Sequence, residues 1–215
     1  SREAEKLGAD ALLQVTPYYN KASQEGLVRH FTQVADHVSI PILLYNVPSR
    51  TGVTIQPETY RILSEHPNIR GTKEASGNLS LIARTAALCG QGFDIYSGND
   101  DQTVPIMSLG GKGVVSVLAN IMPKETHKMC RLYLDGDVKE SRRMQLQLLE
   151  IMEALFWDVN PIPVKTALGL MGVCGDDLRL PLTPMEPEQR ERLAEVMKRQ
   201  GISLKKELHN QTNLL

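Results

Sequence analysis

The chain has 215 residues, of which 41% are hydrophobic and 23% charged, with a formal net charge of −1 and a pI near 6.5. That balance fits a soluble globular protein long enough to bury the core of one large α/β domain. It excludes an electrostatic case for nucleic acid or an acidic membrane as partner, and no apolar run approaches the roughly 20 residues that span a bilayer.

The opening stretch, Ser1 to Lys6, is charged and helical in character and unlike a signal peptide. Short β-like runs then recur at 11–15, 42–45, 69–73, 93–96 and 113–117. Their starts lie about 20 to 31 residues apart, the length of a strand, a helix and two loops. Between the first two runs, Leu27, Phe31, Val34, Ala35 and Val38 fall at helical spacing, with Ser23 as N-cap. Asn78 is placed to cap a second helix through Leu88, whose apolar side is Leu79, Ile82, Ala83, Ala86 and Ala87. Strands alternating with helices predict a parallel sheet with crossover helices. After about residue 120 the strand pattern stops, and 123–134, 138–157, 163–171 and 187–199 read as helices. Gly136-Asp137 reads as a turn and 181–184 as an extended loop.

The organisation expected is therefore a partial (β/α)8 TIM barrel over 1–120, a helical region over 121–203 and a polar tail over 204–215. A closed barrel needs eight strands and five are visible, so the first part of the barrel is expected to be missing from the chain.

Two residues carry the chemical interest. Lys73 ends the third strand-like run before a Gly-containing turn, where desolvation would lower its pKa and leave some neutral amine. Neutral amine attacks a ketone to form a Schiff base. Tyr45 ends the second run and precedes the loop Val47-Pro48-Ser49-Arg50-Thr51-Gly52. Two polar groups at equivalent strand ends would point into one mouth of a parallel barrel. Taken singly, Lys73 is an ordinary strand-end lysine, Tyr45 a core tyrosine with a satisfied hydroxyl, and Arg50 a solvated loop charge. The pairing of Lys73 with Tyr45 is what turns the reading toward an enzyme.

Other features read more plainly. Cys89, Cys130 and Cys174 are too few and scattered for a disulfide framework or a zinc site, which points to a reducing cytoplasm and no metal. The five histidines, His30, His37, His66, His127 and His209, lack ligand spacing. Gly110-Gly111-Lys112-Gly113 has no Ser or Thr after the lysine, so it reads as a tight turn rather than a phosphate loop. Met144 and Met152 read as core or interface packing, and Lys165 as a surface or structural lysine at least as readily as a catalytic one.

Six ordered motifs resemble the dihydrodipicolinate synthase family: 15–20 (Val-Thr-Pro-Tyr-Tyr-Asn), 44–52 (Leu-Tyr-Asn-Val-Pro-Ser-Arg-Thr-Gly), 71–77 (Gly-Thr-Lys-Glu-Ala-Ser-Gly), 96–100, 113–117 and 160–165. The likeness runs from residue 1 to about 200 and lacks the family's N-terminal third, with its Gly-Thr-Thr-Gly-Glu loop and relay threonine. The resemblance implies a class I aldolase-type lyase that condenses pyruvate with aspartate semialdehyde in lysine biosynthesis by the diaminopimelate route. It implies that Lys73 forms the imine, that Tyr45 relays protons, and that Tyr19 serves a site across a tight dimer interface. It implies that Arg50 holds the aldehyde's carboxylate, that Gly98 and Val115 contact the pyruvate-derived moiety, and that Tyr18 lies near a lysine feedback cleft. No cofactor beyond the covalent imine is implied, and a homo-oligomer, a dimer or dimer of dimers, is. Two alternatives stand beside this reading. One is a related pyruvate aldolase such as N-acetylneuraminate lyase or a keto-deoxy-sugar-acid aldolase, although Arg50 favours a carboxylate-bearing aldehyde. The other is a catalytically silent piece of a barrel, whose open strand edges would be a liability.

Overall fold

The computed structural model describes residues 1–205, and in it the helix α1 (Arg2–Lys6) leads into the strand β1 (Leu12–Val15). Then follow α2 (Gln24–Ala35), β2 (Ile42–Asn46), the short α3 (Pro48–Thr51), α4 (Pro57–Ser64), β3 (Ile69–Glu74) and α5 (Leu79–Cys89). After these come β4 (Asp94–Ser97), α6 (Thr103–Ser108) and β5 (Gly113–Val114). The remaining elements are helices: α7 (Pro123–Leu134), α8 (Val138–Gln147), α9 (Leu149–Ala154), α10 (Ile162–Met171) and α11 (Pro187–Arg199).

The strands form one parallel sheet in the order β1-β2-β3-β4-β5. Sequential order without reversal is the pattern of a (β/α) barrel wall, whereas a doubly wound sheet reverses at a switch point. It sets every strand's C-terminal end, and the loop that follows, at one end of the sheet.

Local chemistry sets the helix starts as the sequence predicts. Ser23 Oγ accepts the Gly26 N–H at 3.1 Å, and Asn78 Oδ1 accepts the Leu81 N–H at 3.0 Å. Leu27, Phe31 and Ala35 of α2 are fully buried in one cluster with Ile42, Leu44, Ile55, Tyr60 and Ile82. Each large side chain there contributes on the order of 1.5–3 kcal/mol by leaving water.

Three expectations need correction. The buried face of α5 is Ile82 and Thr85, while Leu79 is exposed and Ala87 faces out. Thr85 tolerates burial because its hydroxyl donates to the Leu81 carbonyl at 2.9 Å. The fifth strand stops at Val114 instead of Val117, because its partner β4 ends at Ser97 and leaves only one further bond, Val115 N–H to Ser97 O at 2.8 Å. The helix expected over 138–157 is two, broken at Leu148, whose ψ of −1° lies outside the helical well, and it ends at Ala154.

The chain divides into two compact units. One comprises Ser1–Ser116 with Met129–Arg142 and holds the whole sheet; the other comprises Val117–Lys128 and the chain from Arg143 onward. Within the second unit Met152 is buried and Gln145 Nε2 donates to its sulfur at 3.2 Å, so this methionine packs in a core. Most of the expected polar tail, from residue 206, lies outside the described residues. Among the described residues no helix is long and apolar enough to cross a membrane.

Candidate active site

Register decides which side chains share a face. Val15 lies opposite Tyr45, Tyr45 opposite Lys73, and Lys73 opposite Tyr96. Neighbours in a parallel ladder point the same way. In β2 the buried residues are Ile42, Leu44 and Asn46, and in β4 they are Ile95 and Ser97, so these face the helix layer. The alternate residues, including Tyr45, Lys73 and Tyr96, are only partly buried and line the opposite face.

Lys73 Nζ sits 4.1 Å from the centroid of the Tyr45 ring. Burial pushes the ammonium's pKa down, the Asp100 carboxylate opposes that fall, and the Arg50 guanidinium adds to it. Burial also pushes the Tyr45 phenol up, against a smaller pull from Arg50, so Tyr45 keeps its proton at neutral pH. Lys73, Tyr45 and Arg50 thus act on one another electrostatically, as a site with a single reacting centre requires.

Gly98 is the floor beneath the lysine stem. A Cβ built there would lie 3.2 Å from Lys73 Cε and 2.7 Å from Ala75 Cβ, and the Gly98 N–H donates to the Glu74 carbonyl at 2.7 Å. Only glycine lets the β4 loop approach the lysine this closely. Val115 lies at the same strand ends, 38% exposed, its N–H on Ser97. Arg50 occupies the short helix α3, closed by Gly52 in the left-handed region at φ +71°.

Tyr18 and Tyr19 follow β1 at that same end of the sheet. Tyr19 is 91% exposed and its φ is +70°, a strained conformation for a bulky residue. Tyr18 is also exposed. The structure therefore brings Lys73, Tyr45, Arg50 and Gly98 together and leaves both tyrosines of the β1 loop open to solvent.

Several residues around this centre escape sequence inspection. Tyr96 flanks Lys73 in register, and only knowledge of the strand pairing reveals it. Asp100 is 2% exposed, accepts a hydrogen bond from the Ser116 hydroxyl, and supplies the negative charge felt by Lys73. Asn46 and Glu74, which directly follow Tyr45 and Lys73, are buried and hydrogen-bonded to each other at 2.7 Å. Elsewhere, Lys165 Nζ donates to the Asp177 carbonyl, a structural contact. Gly110-Gly111-Lys112 forms a turn into β5, with Gly110 at φ +96°.

Comparison with known proteins bears on the family and the fold. The Dihydrodipicolinate synthetase family profile matches residues 1–200. The chain is 54% identical over 205 residues to the 4-hydroxy-tetrahydrodipicolinate synthase of Caldicellulosiruptor bescii, covering 95% of this chain and 69% of that protein. The crystal structure of dihydrodipicolinate synthase from Thermotoga maritima superposes with a TM-score of 0.92 at 43% identity, over 94% of this chain and 70% of that one. A chloride-inhibited dihydrodipicolinate synthase from Acinetobacter baumannii, solved in complex with pyruvate, matches with a TM-score of 0.91 at 40% identity, over 94% and 69% of the two chains.

Proposed function

This chain belongs to the dihydrodipicolinate synthetase family of (β/α)8-barrel lyases, and we propose that it condenses pyruvate with aspartate semialdehyde through an imine on Lys73. As a family member it is a pyruvate-dependent Schiff-base lyase of lysine biosynthesis by the diaminopimelate route. The observation that carries the residue assignment is the half-buried Lys73 amine, lowered in pKa and held 4.1 Å over the Tyr45 ring at the strand ends.

In this reading the neutral Lys73 amine attacks the ketone carbon of pyruvate, and loss of water leaves a protonated imine. Tyr45, its phenol still protonated, donates to the departing oxygen. The imine nitrogen draws electrons from the neighbouring methyl group, whose proton then passes to the Tyr45 phenolate left by that donation, giving an enamine. The enamine carbon bonds to the aldehyde carbon, and the aldehyde oxygen takes that proton back from Tyr45 to become a hydroxyl. The amino group of the aldehyde substrate next attacks the imine carbon, which closes the six-membered ring and frees Lys73. No metal or organic cofactor enters, because the imine is itself the electron sink. Arg50 offers a planar fork to the aldehyde's carboxylate, which favours aspartate semialdehyde over a sugar. Gly98 and Val115 border the pyruvate-derived carbons.

The exposure of Tyr19 and its strained backbone support a role outside its own copy, in a homo-oligomer that is a dimer or a dimer of dimers. Tyr18 beside it would then face a regulatory cleft. The free thiols of Cys89, Cys130 and Cys174 fit a reducing cytoplasm.

Incubation with pyruvate and borohydride, followed by peptide mass spectrometry, tests the assignment. One pyruvate-derived group on Lys73 is expected, and none in Lys73→Ala. An adduct of equal yield at another lysine in that variant would overturn the role of Lys73. Arg50→Ala should lower kcat/KM for the aldehyde by about 100-fold, the worth of a charge-assisted hydrogen bond, while pyruvate trapping persists.

A further inference from the structure

Lys73 and Tyr45 present their side chains on the open face of the sheet, and the next residue of each strand turns to the buried face. There Asn46 Nδ2 donates to Glu74 Oε1 at 2.7 Å and approaches Oε2 at 3.3 Å, and both residues are almost wholly buried. The other end of the same amide, Asn46 Oδ1, accepts the Ile55 N–H at 3.1 Å. The segment from Val47 to Thr54, which carries Arg50, therefore leaves β2 at Asn46 and returns to Asn46. One side chain closes the loop at both ends.

The amide can serve both partners in a single orientation only. Its NH2 must face the carboxylate and its oxygen must face the Ile55 N–H. Glu74 dictates that orientation, and Glu74 is itself anchored from three directions: Tyr60 from α4 at 3.3 Å, the Ser76 N–H at 3.3 Å, and its own place in β3 directly opposite Asn46. Thr72 completes the cluster, bonded to Tyr60 Oη at 3.1 Å and donating to the Leu44 carbonyl at 3.2 Å. A buried carboxylate–amide pair is costly unless its geometry is rigid, and here the Asn46–Glu74 bond joins the strands that carry Tyr45 and Lys73.

We propose that the Asn46–Glu74 pair is a positioning device that locks the Arg50 loop to the Lys73 strand and thereby sets affinity for the carboxylate-bearing aldehyde, not for pyruvate. Neither residue touches substrate; both act through Arg50. The proposal rests on the lyase reading above, and Glu74→Leu and Glu74→Gln test it, with exchange at the Ile55 amide as the readout that does not depend on that reading. Gln keeps an oxygen for the Asn46 amide; Leu fills the space and keeps none. Glu74→Leu should raise KM for aspartate semialdehyde about tenfold, the worth of one lost hydrogen bond, while borohydride trapping of pyruvate on Lys73 changes less than about threefold. Glu74→Gln should restore KM to within about threefold of wild type. The Ile55 amide should exchange with deuterium about tenfold faster in Glu74→Leu and stay protected in Glu74→Gln.

Equal losses for both substrates, or a Gln variant that behaves like the Leu variant, would overturn the proposal in favour of a merely structural pair. If Glu74→Leu does not fold, Asn46→Ala replaces it with the same expectations, because Glu74 then retains Tyr60 and Ser76. A wild-type chain that forms no adduct counts against the lyase reading alone. The exchange at Ile55 then decides the coupling by itself, and an unchanged rate in Glu74→Leu overturns it.

Discussion

Lys73 is tuned by opposing neighbours. Burial is the larger influence and lowers its pKa; Asp100 raises it; Arg50 lowers it again. Removing the carboxylate should therefore leave more neutral amine at a given pH. In Asp100→Asn the pH profile of pyruvate trapping should move to lower pH, with the Ser116 contact kept because an amide oxygen also accepts a hydroxyl. A profile that moves to higher pH, or does not move, would mean that Asp100 acts on another step. The same residue-scale view explains why Tyr45 alone makes a poor base. Its phenol is pushed up by burial and only weakly pulled back by Arg50, so it holds its proton at neutral pH and little phenolate stands ready to accept one. A further partner is needed before it can relay a proton in both directions.

At the scale of elements, β3 and β4 meet unusually closely. A Cβ added to Gly71 would fall 2.2 Å from the Asp94 carbonyl oxygen, a contact that only backbone movement could relieve. Gly71→Ala should therefore break the β3–β4 pairing and cost more than about 4 kcal/mol in a urea melt, or abolish soluble protein. Gly77, at φ +74° with open space around it, provides the contrast. Gly77→Ala should cost about 1–2 kcal/mol from backbone strain alone. Similar losses at the two glycines would show that conformation, not strand contact, governs Gly71. The turn glycine and the ladder glycine sit six positions apart in one motif, and sequence inspection treats them alike.

For the folded chain as a whole, Glu74 links stability to pH. Burial raises its carboxyl from 4.5 to about 7, against opposing hydrogen bonds from Asn46, Ser76 and Tyr60. The charged and titratable groups around it are Tyr60 from α4, with Cys89 of α5 behind it, and Lys73 next along β3. The folded chain thus binds this proton more tightly than the unfolded chain does. The resulting stabilisation is full below pH 4.5 and is lost as pH rises through about 7. Relative to Glu74→Gln, the wild type should lose about 3 kcal/mol between those limits, on the order of two and a half pKa units. Denaturant midpoints for both proteins at acid and at mildly alkaline pH measure this. A constant difference across the range would place the titration elsewhere.

Much of this was legible in the chain before folding. Ser23 and Asn78 announce their helices, the strand-like runs place Tyr45 and Lys73 at corresponding ends, and the ordered motifs identify the family. Those features depend on neighbours within a few residues, where backbone geometry and local hydrogen bonding leave few choices. The rest depends on which strand lies beside which. Tyr96 joins Lys73, Gly98 supports the lysine stem, Asp100 lends its charge and Asn46 meets Glu74 only once parallel pairing sets the register. None of these pairs has a sequence spacing that a local rule could recognise. The alternation of β2, β3 and β4 then sends the reacting groups to one face and their supports to the other. Sequence alone determined the chemistry available to this protein; the sheet decided which groups stand close enough, and dry enough, to use it.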